Sequence, residues 1–439
     1  MLDILGGRYG TCDGVSRRNF LRVGVLGLAG LSLPDVLRMR ANAAPSSHGK
    51  TAVIQIFLGG GPTQLETWDP KPGAPKEFKG EFNAIKTNVP GIQISELFPR
   101  QARAMDKLAI IRSLHHDSSD HGVGAHWVMT GFPSSTPLQR ANDRPSIGSV
   151  VSKLRGSNGA GLPPYIGIPN PPQFGQASYL GAGFNPFAIE GDPRNGARVR
   201  NLEPSGSLTL GRIEDRKYLL SKLDRINRQR DASGMMDGLD KFTTQAYEMV
   251  TGPEARRAFD LSKEDPKLRD RYGRTRLGQG ALLARRLVEA GVTFVTLSEG
   301  NWDHHAQVFQ NCRQQLPPLD QAIATLVEDI HERGLADQIL LLVWGEFGRT
   351  PRVNGNAGRD HWPNSMSALL AGGGLKMGQT IGATNSKGEV PIERPLRPEH
   401  VIRTVYHVLG IDPLHEFHNE SGRPMPVMNI GEPISELIG

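Results

Sequence analysis

A continuous apolar run, Ile339–Trp344, constrains the fold of this chain more than any other feature of the sequence. The run reads Ile-Leu-Leu-Leu-Val-Trp and stops at Gly345, so it is too short and too sharply ended for a helix. Such a run is typical of a strand buried on both faces of a parallel sheet. Polar residues follow it at once, and ligands bind at the carboxyl ends of strands in open α/β sheets. The segment after Gly345 is therefore the first candidate for a functional site.

Three other segments repeat this order of strand, polar loop and helix. We predict strands at residues 51–58, 107–114 and 292–297. Together with the first run, they lead into loops rich in histidine or carboxylate at residues 66–69, 115–121, 299–305 and 346–361. Right-handed βαβ units set such strands parallel, with helices on both faces of the sheet. The sequence thus predicts an α/β three-layer sandwich with a mostly parallel central sheet, and all four loops should open on one edge of it.

The first 43 residues have the features of an export signal. Residues 16–21 read Ser-Arg-Arg-Asn-Phe-Leu, a weakly apolar run covers 23–33, and Ala-Asn-Ala at 41–43 is a small-residue cleavage signal. We predict export by the twin-arginine translocation machinery, which carries folded proteins, to the periplasm or beyond. The apolar run is short for a bilayer span, so no retained transmembrane segment is expected.

The remaining chain is long enough for one large α/β domain with its own core. We predict a linker at 44–50 and a single domain at 51–432, which carries a loop-rich and helical insertion at about 133–260, followed by a tail at 433–439. The net charge of +6 includes +3 from the first 43 residues, so the remainder gives no case for binding nucleic acid. Cys312 is the one cysteine left after cleavage, so no internal disulfide can form.

The polar loops contain the side chains that bind divalent ions. Imidazole and carboxylate together suit ions that accept nitrogen and oxygen ligands. The Asp-His-His turn at 303–305 can aim two neighbours at one ion, and His361 and Glu346 can join them. We predict a shared site for one or two divalent ions, with zinc expected first and manganese, calcium or magnesium as alternatives.

Several spaced motifs together carry a resemblance to a known family. They are Gly-Gly-Gly-Pro at 59–62 with Glu-Thr-Trp-Asp-Pro-Lys-Pro at 66–72, His-His-Asp at 115–117 through Thr-Gly at 130–131, Trp-Asp-His-His at 302–305, and Gly-Glu-Phe-Gly-Arg-Thr-Pro at 345–351 with Gly-Arg-Asp-His-Trp-Pro at 358–363. Over about residues 51–432 the chain resembles an exported, largely uncharacterised family catalogued as domain of unknown function 1501. That family is often labelled sulfatase-like and belongs to the alkaline phosphatase and sulfatase superfamily. The resemblance implies an alkaline-phosphatase-like fold.

The resemblance also implies a site for two metal ions that lie about 3.5 to 4 Å apart. One ion would be held by Asp303, His305 and His361. The other would be held by Glu66 or Asp69, by Glu346, and by the residue at the nucleophile position, which is His121. Arg349 or Arg359 would clamp the substrate anion.

Two departures from the superfamily pattern stand out. Counting back nine places from Thr130 puts His121 where sulfatases carry their modified cysteine, so that chemistry has no residue to act on. Phe347 follows Glu346 where the superfamily has histidine after aspartate.

Three functions are weighed on this basis. The first is an exported, metal-dependent hydrolase of phosphate or sulfate esters, including small-molecule and polysaccharide esters. Its nucleophile would be a metal-activated water with a pKa of about 7, and covalent attack by His121 is a weaker variant. The second is a non-catalytic metal-containing derivative that binds a cell-surface polysaccharide or a protein partner. The third, a nucleotide phosphate cradled by Gly59 to Gly61, lacks the lysine and hydroxyl residue of a P-loop and is disfavoured.

The export signal leads to a direct prediction. We expect the exported protein to begin at Ala44, and replacement of both Arg17 and Arg18 by lysine to keep the precursor in the cytoplasm. Intact mass spectrometry of periplasmic and cytoplasmic fractions checks both outcomes. Replacement of Arg38 and Arg40, which lie outside the twin-arginine pattern, is the matched control and should leave export unchanged. Equal export of the two double variants would contradict the prediction.

Overall fold

An eight-stranded sheet organises the part of the chain that the computed structural model describes, which is residues 50–134, 142–159, 161–189, 191–195 and 257–438. Its strands are β1 (Ala52–Leu58), β2 (Ala109–Leu114), β3 (Tyr165–Ile168), β4 (Phe187–Ala188), β5 (Phe294–Glu299), β6 (Ile339–Trp344), β7 (Met366–Gly372) and β8 (Gln379–Ile381). The strand order is β8-β2-β7-β6-β1-β5-β3-β4. Strand β7 pairs antiparallel with both β6 and β2, whereas the other ladders are parallel. The sheet is therefore mostly parallel, as predicted.

Helices cover both faces of this sheet. They are α1 (His121–Thr130), α2 (Ile147–Leu154), α3 (Pro266–Tyr272), α4 (Arg276–Glu289), α5 (Val308–Glu332) and α6 (Pro398–Leu409). Ile54 and Ile56 of β1 pack in one apolar cluster with residues of α4 and α5. Val53 and Phe57 point to the other face and pack in a second cluster with residues of α1, α2 and α6. Side chains alternate between the two faces of a strand, so β1 contributes to both layers of core, and the predicted three-layer α/β architecture is confirmed.

Short strands and helices lie outside the eight-stranded sheet and its six main helices. Two-stranded ribbons pair Ala84–Lys86 with Gln93–Ser95, Gly348–Arg349 with His361–Trp362, Ala383–Thr384 with Pro391–Glu393, and Glu416–His418 with Pro424–Pro426. Short helices cover Lys76–Lys79, Pro99–Arg103 and Ser435–Ile438. Among the described residues, no helix has both the length and the apolar character needed to cross a membrane.

The domain limits differ in detail from those predicted. The signal peptide and all but the last residue of the linker lie outside the described residues, and Lys50 begins a compact unit. Much of the predicted insertion at 133–260 is also outside them, but its described part supplies α2, β3 and β4, so it completes the sheet. The predicted tail at 433–439 contains Ile434 and Leu437, both fully buried. Burial of these side chains makes this segment part of the domain.

The four strands that precede the polar loops run in the same direction. Strands β5, β1 and β6 are neighbours and parallel, and β2 is parallel to them because β7 lies antiparallel between β6 and β2. Their carboxyl ends therefore share one edge of the sheet, which brings the loops at 66–69, 115–121, 299–305 and 346–361 to that edge.

A buried ion network ties α4 to α5 and is a test of the fold. Arg285 is 1% exposed, and its guanidinium lies 2.7 Å from Glu264 Oε2, 2.6 Å from Glu289 Oε2 and 3.0 Å from Asp329 Oδ2. Replacement of Arg285 by alanine would remove one of the two arginines that neutralise the buried Asp329 carboxylate, which would keep Arg333 and the Tyr272 hydroxyl as partners. We expect a loss of about 3 to 5 kcal/mol in the free energy of unfolding, measured by urea denaturation.

The matched control is Arg274→Ala on the surface. Arg274 is paired with Asp270 at 2.5 Å, but both side chains are about half exposed. Exposed pairs contribute about 0.2 to 1 kcal/mol. Equal destabilisation by the two substitutions would contradict the role given to the buried network.

Candidate metal centre

Asp303 lies at the centre of a group of imidazoles at the carboxyl edge of the sheet. Its Oδ1 is 2.9 Å from His305 Nε2 and 3.1 Å from His361 Nε2, and these two nitrogens are 3.0 Å apart. Its Oδ2 is 3.3 Å from His121 Nε2. The structure therefore brings together four of the residues predicted to bind metal.

Local structure explains how these side chains reach one point. His121 is the first residue of α1, and the Asp120 side chain caps that helix by accepting from Val123 N at 2.9 Å. The turn at 303–305 is held against the end of β1, since Trp302 N donates to Gly59 O at 3.2 Å. His361 lies in the ribbon that pairs with Gly348–Arg349 after β6.

The partners of the outer ring nitrogens determine the tautomers of His361 and His305. His361 Nδ1 is 2.7 Å from the Ser119 carbonyl, which can only accept, so Nδ1 carries the proton. His305 Nδ1 is 2.6 Å from Asp360 Oδ1, and the hydrogen bond from His305 lowers the pKa of Asp360, which keeps it an acceptor. In neutral rings the lone pair is then on Nε2, facing Asp303. Two lone pairs and a carboxylate at about 3 Å repel each other unless a cation lies between them.

Glu346 lies behind His121. Its Oε1 accepts from Gly60 N at 2.8 Å and is 2.6 Å from His121 Nδ1. This contact with Glu346 raises the pKa of His121. Nδ1 and Nε2 lie on different sides of an imidazole, so Glu346 orients His121 from the side away from Asp303. The structure thus places Glu346, predicted as a direct ligand, as the partner that holds a histidine.

Arg349 holds Asp303 in place. Arg349 is fully buried, and its guanidinium lies 2.5 Å from Asp303 Oδ1 and donates to the carbonyls of Gly60 and Gly61. Burial acts to raise the pKa of Asp303, but the hydrogen bond and charge of Arg349 outweigh it, and the pKa lies well below its usual range. The prediction that Arg349 clamps a substrate anion is therefore corrected, because its donors are already used to orient Asp303.

Arg359 and Glu66 form a second buried pair. Arg359 Nη2 lies 2.6 Å from Glu66 Oε1 and 2.9 Å from the Phe78 carbonyl, and both side chains are about 1% exposed or less. The other carboxylate oxygen of Glu66 accepts from the Thr63 hydroxyl. The predictions of Arg359 as an anion clamp and Glu66 as a metal ligand are corrected, because each neutralises the other inside the protein.

Asp69 is likewise engaged away from the imidazoles. Its Oδ1 is 2.9 Å from Lys71 Nζ and 3.5 Å from Arg112 Nε, and its Oδ2 accepts from Thr384 Oγ1 at 2.5 Å. The carboxylate is fully buried. These contacts replace the predicted role of Asp69 as a metal ligand.

Donor spacing tests whether the remaining residues fit a metal ion. In a tetrahedral site with bonds of about 2.0 Å, neighbouring donor atoms lie about 3.3 Å apart. The donors of Asp303, His305 and His361 lie 2.9 to 3.1 Å apart, and those of His121, Asp303 and His361 all lie within 4.8 Å of one another. Three donors leave a position open, as in catalytic zinc sites. The nitrogen and oxygen donor set suits zinc, and these residues fit the predicted ion.

The sequence did not identify some residues that support this centre. Asp360 orients His305, and the Ser119 carbonyl orients His361. In the sequence, the position of Asp360 directly before His361 is the only feature that indicates a role for Asp360 in the site. Gly60 has a φ of +112°, and a Cβ there would lie 2.6 Å from Asp303 N. The amides of Gly59, Gly60 and Gly61 bond Glu299 O, Glu346 Oε1 and Leu58 O, respectively. The glycines thus allow close packing below the site, and their use as a nucleotide cradle is excluded.

Comparisons with known proteins support the family assigned from the motifs. Residues 50–438 match the family model described as "Protein of unknown function (DUF1501)". No curated protein matches the chain.

Similar solved structures include the lipoteichoic acid synthase LtaP from Listeria monocytogenes (10% identity, TM-score 0.38, covering 83% of this chain and 73% of that one). They also include the PsFucS1 sulfatase from Pseudoalteromonas sp. (13%, 0.34, 84% and 70%) and the alkaline phosphatase from the Antarctic bacterium TAB5 (13%, 0.35, 82% and 98%). At this level of similarity they say nothing about which reaction this chain carries out.

Buried His116 leads to a prediction about pH and stability. Its Nε2 donates to the Glu346 carbonyl at 2.6 Å, and burial lowers its pKa from 6.5 to about 4. The folded protein therefore resists protonation that the unfolded chain accepts below pH 6.5. Stability from this residue is fully present above pH 6.5 and falls by about 3 kcal/mol as the pH drops toward 4.

The variant His116→Gln should weaken that pH dependence between 6.5 and 4, measured by urea unfolding in the presence of a chelator. The matched control is His418→Gln, because His418 is exposed. An unchanged pH dependence in His116→Gln would show that His116 is not its source.

Proposed function

We propose a function from the premise that this chain belongs to the DUF1501 family, whose members are described as being of unknown function. We infer that it is an exported hydrolase of phosphate or sulfate esters that depends on one or two divalent ions, with zinc expected first. The observation that supports this most is the convergence of Asp303, His305 and His361, with the Nε2 atoms of both histidines facing one carboxylate.

The side chains of the cluster have separate roles in the proposed site. Asp303, His305 and His361 would hold the ion, Arg349 keeps Asp303 charged, and Asp360 orients His305. When bound, the ion supplies Lewis acidity, which polarises the ester and makes water more acidic. A site open on one side is needed for substrate, and the cluster meets this need because the Asp303 and His305 side chains are 42% and 47% exposed.

His121 is placed to move a proton. Its Nδ1 is held by Glu346, so Nε2 is free to accept a proton from the attacking water and to return it to the leaving group. A carboxylate behind the ring stabilises the imidazolium form, which agrees with the raised pKa of His121. His121 Nε2 lies 3.3 Å from Asp303 Oδ2, so this proton acceptor is next to the metal ligands.

The substrate class rests on the sequence motifs. Their resemblance to the alkaline phosphatase and sulfatase superfamily favours phosphate or sulfate esters. Carbohydrate esters stay within this proposal, although Trp68, Trp127 and Trp302 are at most 6% exposed and therefore cannot stack on a sugar. The twin-arginine signal supports export to the periplasm or beyond.

One observation favours the alternative, a non-catalytic protein that binds a cell-surface polysaccharide or a protein partner. Arg349 and Arg359, expected to clamp the substrate anion, are both fully buried and bonded to protein groups. Turnover separates the two functions, since a binding protein would retain its ion but hydrolyse neither aryl phosphates nor aryl sulfates.

Two histidine substitutions test the proposed roles. In His361→Ala we expect loss of the bound ion together with activity, because one of three ligands is removed. In His121→Ala we expect the ion to remain while kcat falls about 10²-fold to 10⁴-fold, since a positioned acid or base contributes that much. Elemental analysis and hydrolysis of aryl phosphates and sulfates with added zinc measure the two effects.

His418→Ala in the Glu416–His418 strand is the control for removing an exposed histidine and should change neither quantity. Full ion content with no turnover of any ester in the unsubstituted protein would overturn the hydrolase and leave the binding function. Retention of the ion in His361→Ala would overturn the ligand assignment.

A further inference from the structure

We propose that the centre holds a single divalent ion, and that Phe347 excludes a second one. This inference rests on the proposed metal site but not on catalysis. It concerns the number of ions, for which the sequence motifs implied two.

Glu66 and Asp69, two of the carboxylates expected to hold a second ion, form ion pairs with other residues. Among the described residues, Glu66 pairs with Arg359 and Thr63, and Asp69 pairs with Lys71. Both carboxylates are buried at 1% exposure or less. Glu66 cannot turn toward the imidazoles without leaving the buried Arg359 unpaired, and Asp69 cannot do so without losing its contacts with Lys71 and Thr384.

Of the carboxylates expected to hold a second ion, Glu346 is the one that lies near the imidazoles. Its Oε1 is used by Gly60 N and His121 Nδ1, and its Oε2 is buried with no hydrogen-bond partner among the described residues. One carboxylate oxygen is not enough for a tight site, because zinc centres take at least three protein ligands. A second ion beside Glu346 therefore needs further donors.

Phe347 occupies the space in which such donors would have to lie. Its ring is fully buried, with its centroid 4.8 Å from the ring of His121 and 4.6 Å from the ring of His361. The ring has no lone pair to give to a metal. It also packs on the two imidazoles that border the first ion.

The backbone around Phe347 is shaped for this ring. A Cβ on Gly61, whose φ is +78°, would lie 2.7 Å from Phe347 Cδ2. A Cβ on Gly124 in α1 would lie 3.2 Å from Phe347 Cδ1. Gly61 in the loop after β1 and Gly124 in α1 thus leave room for an aromatic ring and little beyond it. The apolar side chain beside Glu346 is therefore accommodated by the fold itself.

Counting bound ions tests this inference without any assay of activity. The full chain, stripped with a chelator, is titrated with Co²⁺ while its visible absorption is recorded, and zinc content is measured after gel filtration. We expect one ion per chain, lost in Asp303→Asn because that residue is shared by the donor set. In Phe347→His we expect a second, weaker ion, because an imidazole then stands beside Glu346 and His121.

Phe347→Leu is the matched control, since it removes the ring but adds no donor, and it should still bind one ion. Circular dichroism and thermal unfolding confirm that each variant is folded. Two tight ions in the unsubstituted protein would overturn the single-ion site, and no bound ion would overturn it together with the proposed function. One ion in folded Phe347→His would overturn the role of Phe347. One ion without ester hydrolysis would overturn the hydrolase alone and support this inference.

Discussion

The ion pair between the buried guanidinium of Arg349 and the partly exposed carboxylate of Asp303 is the contact on which the candidate site depends. A carboxylate flanked by three imidazole nitrogens is useful for binding a cation only if it stays ionised and keeps its orientation. Arg349 provides both, because its guanidinium is fixed by the carbonyls of Gly60 and Gly61 and reaches Asp303 at 2.5 Å. The same contact joins the loops after β1, β5 and β6. The geometry of the site therefore depends on how these loops pack at the edge of the sheet.

Each imidazole of the cluster is held from behind by its own acceptor, which is a carboxylate for two of them and a backbone carbonyl for the third. His121 has Glu346, His305 has Asp360, and His361 has the Ser119 carbonyl. Partners of this type fix the ring orientation and the tautomer of metal-binding histidines. Contacts between protein groups therefore orient all three imidazoles toward Asp303.

The interior of the site is shaped by groups without charge. Gly60 lets the β1 loop approach Asp303, and Gly61 makes room for the ring of Phe347. Phe347 in turn packs on His121 and His361. An apolar ring among imidazoles limits where a cation can lie. The identities of the histidines and carboxylates alone do not reveal this limit. The count of bound ions is decided by packing as much as by ligands.

The sequence alone determined the class of fold and the edge of the sheet on which the site lies. Short, fully apolar runs such as Ile339–Trp344 are stable only when buried on both faces, and the polar loops must then gather where parallel strands end. It also indicated Asp303, His305 and His361 as one ligand set through their types and the family motifs. Only the tertiary structure decided which charged residues face the cluster. Glu66 with Arg359 and Asp69 with Lys71 neutralise each other in the interior, since a buried charge is stable only beside its partner. The Glu66–Arg359 pair joins residues 293 positions apart, so it leaves no local pattern in the sequence.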